Sequence, residues 1–196
     1  MTSTLRAEIA AAAARLIVEE GLDYGAAKRR AAQDLQLPPR RLDLPDNDVV
    51  EDEVRSYIDL FHADSQPAEL AALRAIAEVW MERLAVFRPH LTGAVWRGTA
   101  TRRSDIHLDL YCDDSKAAEL ALIDARVDYD VSTTKGPRER SLDVLNVFVK
   151  SRELGIVRVA MTVLDYDDLR GALRSDGRGR KLRGDLAALR ALAATG

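Results

Sequence analysis

The sequence predicts an α+β fold, a mixed sheet with flanking helices preceded by an N-terminal helical region. Three observations predict the class. Up to about residue 87 apolar residues recur at helical spacing. After Pro89 the pattern changes to short segments of period two. SRELG, residues 151 to 155, joins two β-rich runs as a hairpin would. Helices gathered first and strands later is the order of an α+β chain rather than an alternating α/β one.

Taken in order, residues 5 to 20 read as a helix closed by Gly21 in a C-cap role. A second helix runs from Tyr24 to Leu37 and is stopped by Pro38-Pro39, since proline lacks the donor that a helix needs. PPRRLDLPDND, residues 38 to 48, is a connector. Another helix spans Val50 to Phe61, and a long one from Pro67 to Phe87 carries Leu70, Leu73, Ile76, Val79, Trp80, Leu84 and Phe87 as its apolar stripe. Strands follow at 91 to 96, 105 to 111 and 127 to 132, then the pair 141 to 149 and 156 to 164. A helix fits between Asp114 and Arg126, capped by Asp114 or Ser115; Asp165 caps another through Arg174, and a last one runs from Gly184 to Ala194. The expected divisions are a helical region, 1 to 64, a sheet domain, 65 to 175, and a basic C-terminal helix, 176 to 196.

The bulk numbers narrow the function classes. A chain of 196 residues with 47% hydrophobic and 31% charged residues can bury a core. It has no run of eighteen apolar residues, so no membrane partner is expected. MTSTLRAEIAAAAARLIVEE has the look of a signal peptide, but Glu8, Arg15 and Glu19 break it at helical spacing, as in an amphipathic helix. Cys112 is the only cysteine, which excludes a disulfide and a thiolate metal cage and suits a cytoplasmic location. The net charge of −3 argues against a globally basic nucleic-acid binder, although residues 170 to 196 concentrate seven Arg or Lys against Asp176 and Asp185.

The chemistry concentrates in GAVWRGTATRRSDIHLDLYCDD, residues 93 to 114. Asp105, His107 and Asp109 alternate there with Ile106, Leu108 and Leu110. On a strand this places the polar three on one face and the apolar three on the other. Residues two apart are roughly 6.6 Å apart, so flexible carboxylates can converge on a divalent cation. Magnesium takes oxygen ligands and shares itself between one or two carboxylates and substrate phosphates. The glycines upstream let backbone amides approach phosphate oxygens. The residues alone therefore suggest a metal–nucleotide site.

Gly93-Ala94-Val95-Trp96-Arg97-Gly98, then Ser104-Asp105-Ile106-His107-Leu108, resembles the signature of the DNA polymerase β-type nucleotidyltransferase superfamily. That signature reads Gly-Ser, two residues, Arg-Gly, five residues, Ser-Asp-Ile-Asp-Leu, and it aligns here without a gap. The resemblance implies a nucleotidyltransferase-like sheet over about residues 66 to 175. It implies that Asp105, His107 and Asp109 form the catalytic group, with Asp105 and His107 holding magnesium or manganese. Gly93, Arg97, Gly98, Thr99, Arg102 and Ser104 would contact the nucleotide. The implied partners are an NTP and an RNA or protein acceptor. The sequence also departs from the pattern. Ala94 replaces the serine that hydrogen-bonds the triphosphate, and His107 replaces the second metal carboxylate. The segment Ile156 to Leu164, where a third carboxylate is expected, offers only Arg158, Ala160 and Thr162 opposite its apolar face. Magnesium is hard and prefers oxygen, so His107 suits a transition metal better. Two readings follow: metal-dependent transfer of a nucleotidyl group from an NTP to an acceptor, or a catalytically inactive relative that binds a nucleotide, RNA or protein.

Other polar residues read more simply. Asp143 shares the parity of Leu145 and Val147, which sets it on the apolar face, and His62 and His90 fall at helix ends as caps. Cys112 reads as a small buried hydrophobe, and Trp80 and Trp96 as core. Lys28-Arg29-Arg30 reads as a solvated face, and GRGRKLRG, residues 177 to 184, as a loop able to line the same cleft.

Overall fold

The computed structural model describes residues 2–36, 44–136 and 139–195. The expected stop at Pro38-Pro39 and the connector up to residue 43 lie outside the described residues. Contacts divide the chain into two compact units, Met1–Ala68 with Thr99–Ser104, and Glu69–Gly98 with Asp105–Gly196.

The first unit is built on three helices, α1 (Thr2–Glu20), α2 (Tyr24–Asp34) and α3 (Asn47–Phe61). Ile9, Ala13, Leu16 and Ile17 of α1 pack with Ala27 and Ala31 of α2 and with Val50, Val54 and Ile58 of α3. The alanines leave little side chain between the helices, so their axes can approach closely. Gly21 ends α1 with φ +72 and its N–H on the Ile17 carbonyl at 3.1 Å. A Cβ there would meet the Arg103 carbonyl oxygen at 2.6 Å, so both conformation and space call for glycine. Asp23 caps α2 by accepting from Ala26 N at 2.8 Å. His62 caps α3 through its backbone, and its Nε2 lies 2.9 Å from Glu19 Oε1, which also accepts from the Tyr57 hydroxyl at 3.1 Å. The basic run of α2 is used internally: Lys28 Nζ donates to Pro45 O and Asn47 Oδ1, and Arg30 pairs with Asp34.

The second unit is a six-stranded mixed sheet of order β3-β4-β5-β2-β1-β6. Its strands are β1 (His90–Thr92), β2 (Ile106–Cys112), β3 (Asp130–Lys135), β4 (Ser141–Ser151), β5 (Gly155–Asp165) and β6 (Arg183–Gly184). The β2–β5 pairing is parallel and the others antiparallel. The helices are α4 (Gln66–Arg83), α5 (Gly93–Arg97), α6 (Ala117–Asp124), α7 (Leu169–Ala172) and α8 (Leu186–Thr195). Ile106, Leu108 and Leu110 of β2 join Val157, Val159 and Met161 of β5 in the core, all 3% exposed or less. Burial of each such leucine contributes about 2 kcal/mol.

Several expectations change here. The strand expected over 91 to 96 stops at Thr92, and Gly93 opens a one-turn helix closed by Gly98 at φ +82. The α4 stripe runs through Leu73, Ala77, Trp80 and Met81, with Leu84 buried just past the helix end, while Val79 is exposed because it falls off that face. Within the expected basic C-terminal helix, 176 to 196, the helix itself is α8, Leu186–Thr195. Arg183 and Gly184 add an edge strand to β1 before α8 begins. Trp96 is only partly buried, and its indole N–H donates to Lys181 O at 2.7 Å.

Candidate functional site

Strand registers fix what shares the face of His107. Thr92 of β1 and Ala160 of β5 lie beside His107, and Asn146 of β4 and Asp130 of β3 continue the row. One step along, His90 and Thr162 flank Asp109. Asp143 lies on the other face, where it takes a hydrogen bond from Lys116 at 3.4 Å.

Asp105, just before β2, is held by Arg158 of β5. Arg158 Nε donates to Asp105 Oδ2 at 3.0 Å, Nη2 donates to the same oxygen, and Nη1 reaches Asn146 Oδ1 at 3.5 Å. Asn146 is itself oriented, its amide donating to Ser132 Oγ at 2.9 Å and Val144 O at 3.1 Å. A fork of guanidinium donors on one carboxylate is a strong, directional contact. It occupies one of the two Asp105 oxygens and sets a fixed positive charge beside the carboxylate.

Asp109 differs from the solvent-facing ligand expected of it. The residue is 9% exposed and ion-paired with Arg183, which reaches from edge strand β6 across β1. The same Nη1 donates to the Tyr111 hydroxyl at 2.8 Å. Burial raises the Asp109 carboxyl above its ordinary value, with Arg183 and then His90 acting the other way. Burial also pushes the Tyr111 phenol up to about 12. The expected open acidic face is therefore open at His107 and closed at Asp109 and Tyr111.

The two ends of the motif do meet. Gly93 has φ +72, and a Cβ there would lie 3.4 Å from His107 Cδ2, so the glycine corner packs on the imidazole. Arg97 is the last residue of α5 and half-buried, and Gly98 N–H donates to Ala94 O. Arg74 Nε donates to Val95 O at 3.3 Å, fixing the end of that turn. Thr99, Arg102 and Ser104 belong to the segment that clusters with the helical unit. Thr99 is buried rather than facing solvent, Arg102 is exposed, and Ser104 Oγ accepts from Thr101 N at 3.0 Å.

The residues do not fit a magnesium or manganese ion. Asp105 is engaged by Arg158, Asp109 is buried against Arg183, and His107 supplies nitrogen where magnesium prefers oxygen. Among the described residues no three His, Cys, Asp or Glu side chains gather as a metal cluster. A divalent ion about 4 Å from the Arg158 guanidinium would meet repulsion of about 4 kcal/mol per unit of its charge at an effective dielectric of 20.

Reasoning from sequence missed Arg183, Asn146 and Tyr111. Arg183 stood out only as one of a basic run, because a strand of two residues has no periodicity to read. No family model matches the sequence, and no curated protein does. Among solved structures the chain is similar to Cid1 bound to the UTP analogue UMPNPP, with TM-score 0.33 and 14% identity over 51% of this chain and 31% of that one. It is similar also to Cid1 with its short product ApU, with TM-score 0.34 and 15% identity over 54% and 32% of the two chains. The MgGTP-bound Cid1 poly(U) polymerase gives TM-score 0.33 and 14% identity over 51% and 32%. The chain thus spans less than a third of the length of these structures. Among the described residues no helix is long and apolar enough to cross a membrane.

Proposed function

We propose that the sheet is a nucleotidyltransferase-like site that has exchanged cation chemistry for ion pairs and binds the phosphate end of a nucleotide without a metal and without transfer. The observation that carries this reading is the Arg158 fork on Asp105. A guanidinium has five N–H donors. Asp105 takes two and Asn146 one, which leaves two that can meet phosphate oxygens. His107, exposed beside Gly93, adds an imidazole at the same corner. Phosphoryl transfer needs carboxylates that hold metal ions and accept the proton of the attacking hydroxyl. With Asp105 and Asp109 both paired to arginine, neither role is provided for.

Calorimetry tests the reading with each of the four NTPs, in magnesium, in manganese and in EDTA. Equal affinity in EDTA and in metal is expected, falling at least tenfold in Arg158→Met. Incubation with α-labelled NTP and total cellular RNA or protein is expected to leave no labelled product. Label that appears in the wild type and disappears in Asp105→Asn would establish the transfer reading instead. Failure of every NTP to bind would remove the nucleotide from the proposal.

A further inference from the structure

The sheet unit holds a concave site on residues other than those of the Asp105–Arg158 corner. A cavity of about 440 Å³ lies where the end of α4, the turn after it, the start of β1, α7 and the start of α8 meet. Its volume falls within the range of small-molecule sites. Met81, Pro89, Leu169 and Leu186 supply apolar lining. Arg88, His90 and Asp185 supply polar groups of three different kinds.

Each of the three is fixed with a binding atom to spare. His90 is 8% exposed, and its Nδ1 donates to the Arg88 carbonyl at 2.9 Å. That bond places a hydrogen on Nδ1, so Nε2 carries a lone pair whenever the ring is neutral, and Nε2 has no hydrogen-bond partner among the described residues. The His90 ring also stands edge-on to Tyr111 with centroids 5.4 Å apart, which limits its rotation. Arg88 sits in the left-handed region at φ 47, and its guanidinium lies 4.1 Å over the Tyr166 ring. The cation is thereby held at the cavity with its in-plane donors available. Asp185 Oδ1 accepts from Ala188 N at 2.9 Å as the cap of α8, and its second oxygen takes no hydrogen bond among the described residues.

A guanidinium, a carboxylate and a nitrogen acceptor around an apolar interior are complementary to a small zwitterion. We infer that this cavity binds a free α-amino acid with an apolar or aromatic side chain. Its carboxylate meets Arg88, its ammonium meets the Asp185 carboxylate and His90 Nε2, and its side chain rests on Leu169, Leu186, Met81 and Pro89. An anion alone would face Asp185, and a cation alone would face Arg88. A neutral apolar molecule would leave all three polar groups without compensation. This inference stands independently of the nucleotide reading, because none of its residues contributes to that corner.

The test is calorimetry and saturation-transfer NMR on the full chain with leucine, methionine and phenylalanine, beside N-acetyl-leucine and leucinamide. Binding of at least one free amino acid is expected, weakened about tenfold or more when either end is blocked, as loss of a charge-assisted contact implies. Asp185→Asn, which keeps the cap, and His90→Asn, which keeps the donor to the Arg88 carbonyl, are each expected to weaken it similarly. Leu169→Trp fills the cavity and is expected to abolish binding, with a cooperative thermal transition showing that the chain still folds. The inference is overturned if no free amino acid binds at millimolar concentration. It is also overturned if the blocked derivatives bind as well as the free one, or if Asp185→Asn changes nothing.

Discussion

At the scale of single residues, the Asp109–Arg183 pair decides what the centre of the sheet can do. Burial favours the neutral form of Asp109 and the guanidinium opposes it. An acid held above its ordinary value contributes stability that is full at pH below that value and is lost as pH rises through the raised one. Removing Arg183 takes away the opposing charge, so the carboxyl moves higher still and the loss at neutral pH grows. Arg183→Met is therefore expected to cost about 3 kcal/mol at neutral pH, less in mild acid where Asp109 takes up a proton, and less again in combination with Asp109→Asn. Urea unfolding of the three variants at two pH values reads this out. A second residue-level prediction concerns space. A Cβ on Gly184 would lie 2.1 Å from Trp96 Cη2, with the rest of the indole close behind. Gly184→Ala is expected to cost about 1–3 kcal/mol as the ring is forced aside, visible as a lower melting temperature and altered tryptophan fluorescence.

At the scale of elements, α5 shows a different use of glycine. Gly98 closes it at φ +82, and the nearest atoms to a Cβ there are 3.7 Å away in Arg74. Space is available and conformation is not, so Gly98→Ala is expected to cost only about 1 kcal/mol in chemical unfolding. In the helical unit, Glu19 links the end of α1 to the end of α3. Its carboxyl is held below the ordinary value, chiefly by the hydrogen bond with His62. The resulting stability is present above the ordinary carboxylate value and is lost as pH falls through the lowered one. The groups are partly exposed, so His62→Ala is expected to cost no more than about 1 kcal/mol, with the NMR titration of Glu19 returning toward the ordinary value. Element boundaries also show what the sequence carried. The strict alternation of 105 to 110 placed β2 and its faces, and SRELG placed the β4–β5 hairpin, because period and turn chemistry are local signals. Gly93 opening a helical turn, and the two-residue β6, depend on packing against Trp96 and β1, which no local pattern encodes. Parity likewise assigned Asp109 its face but could not say that Arg183, seventy-four residues later, would cover it.

At the scale of the whole molecule, the missing acids are a matter of where charge sits across three strands. Positions before and along β2 bring Asp105 and Asp109 to one sheet face, and in each case an arginine from another strand answers the carboxylate. Each contact is locally satisfied, so the sheet has no need of a metal to neutralise its acids. The melting temperature of the wild type is accordingly expected not to change between EDTA and millimolar magnesium or manganese, since only binding to the folded state raises stability. Arg158→Asp tests whether the guanidinium is what keeps cations away. It places a second carboxylate opposite Asp105 beside His107, a set with two hard oxygens and one nitrogen that suits manganese better than magnesium. In EDTA the variant is expected to melt lower than the wild type, because two acids then face each other without a counter-ion. Manganese is expected to recover part of that loss in the variant while leaving the wild type unmoved. A variant equally unresponsive to both metals would mean that the spacing of the strands, rather than the charge of Arg158, denies the ion its ligands.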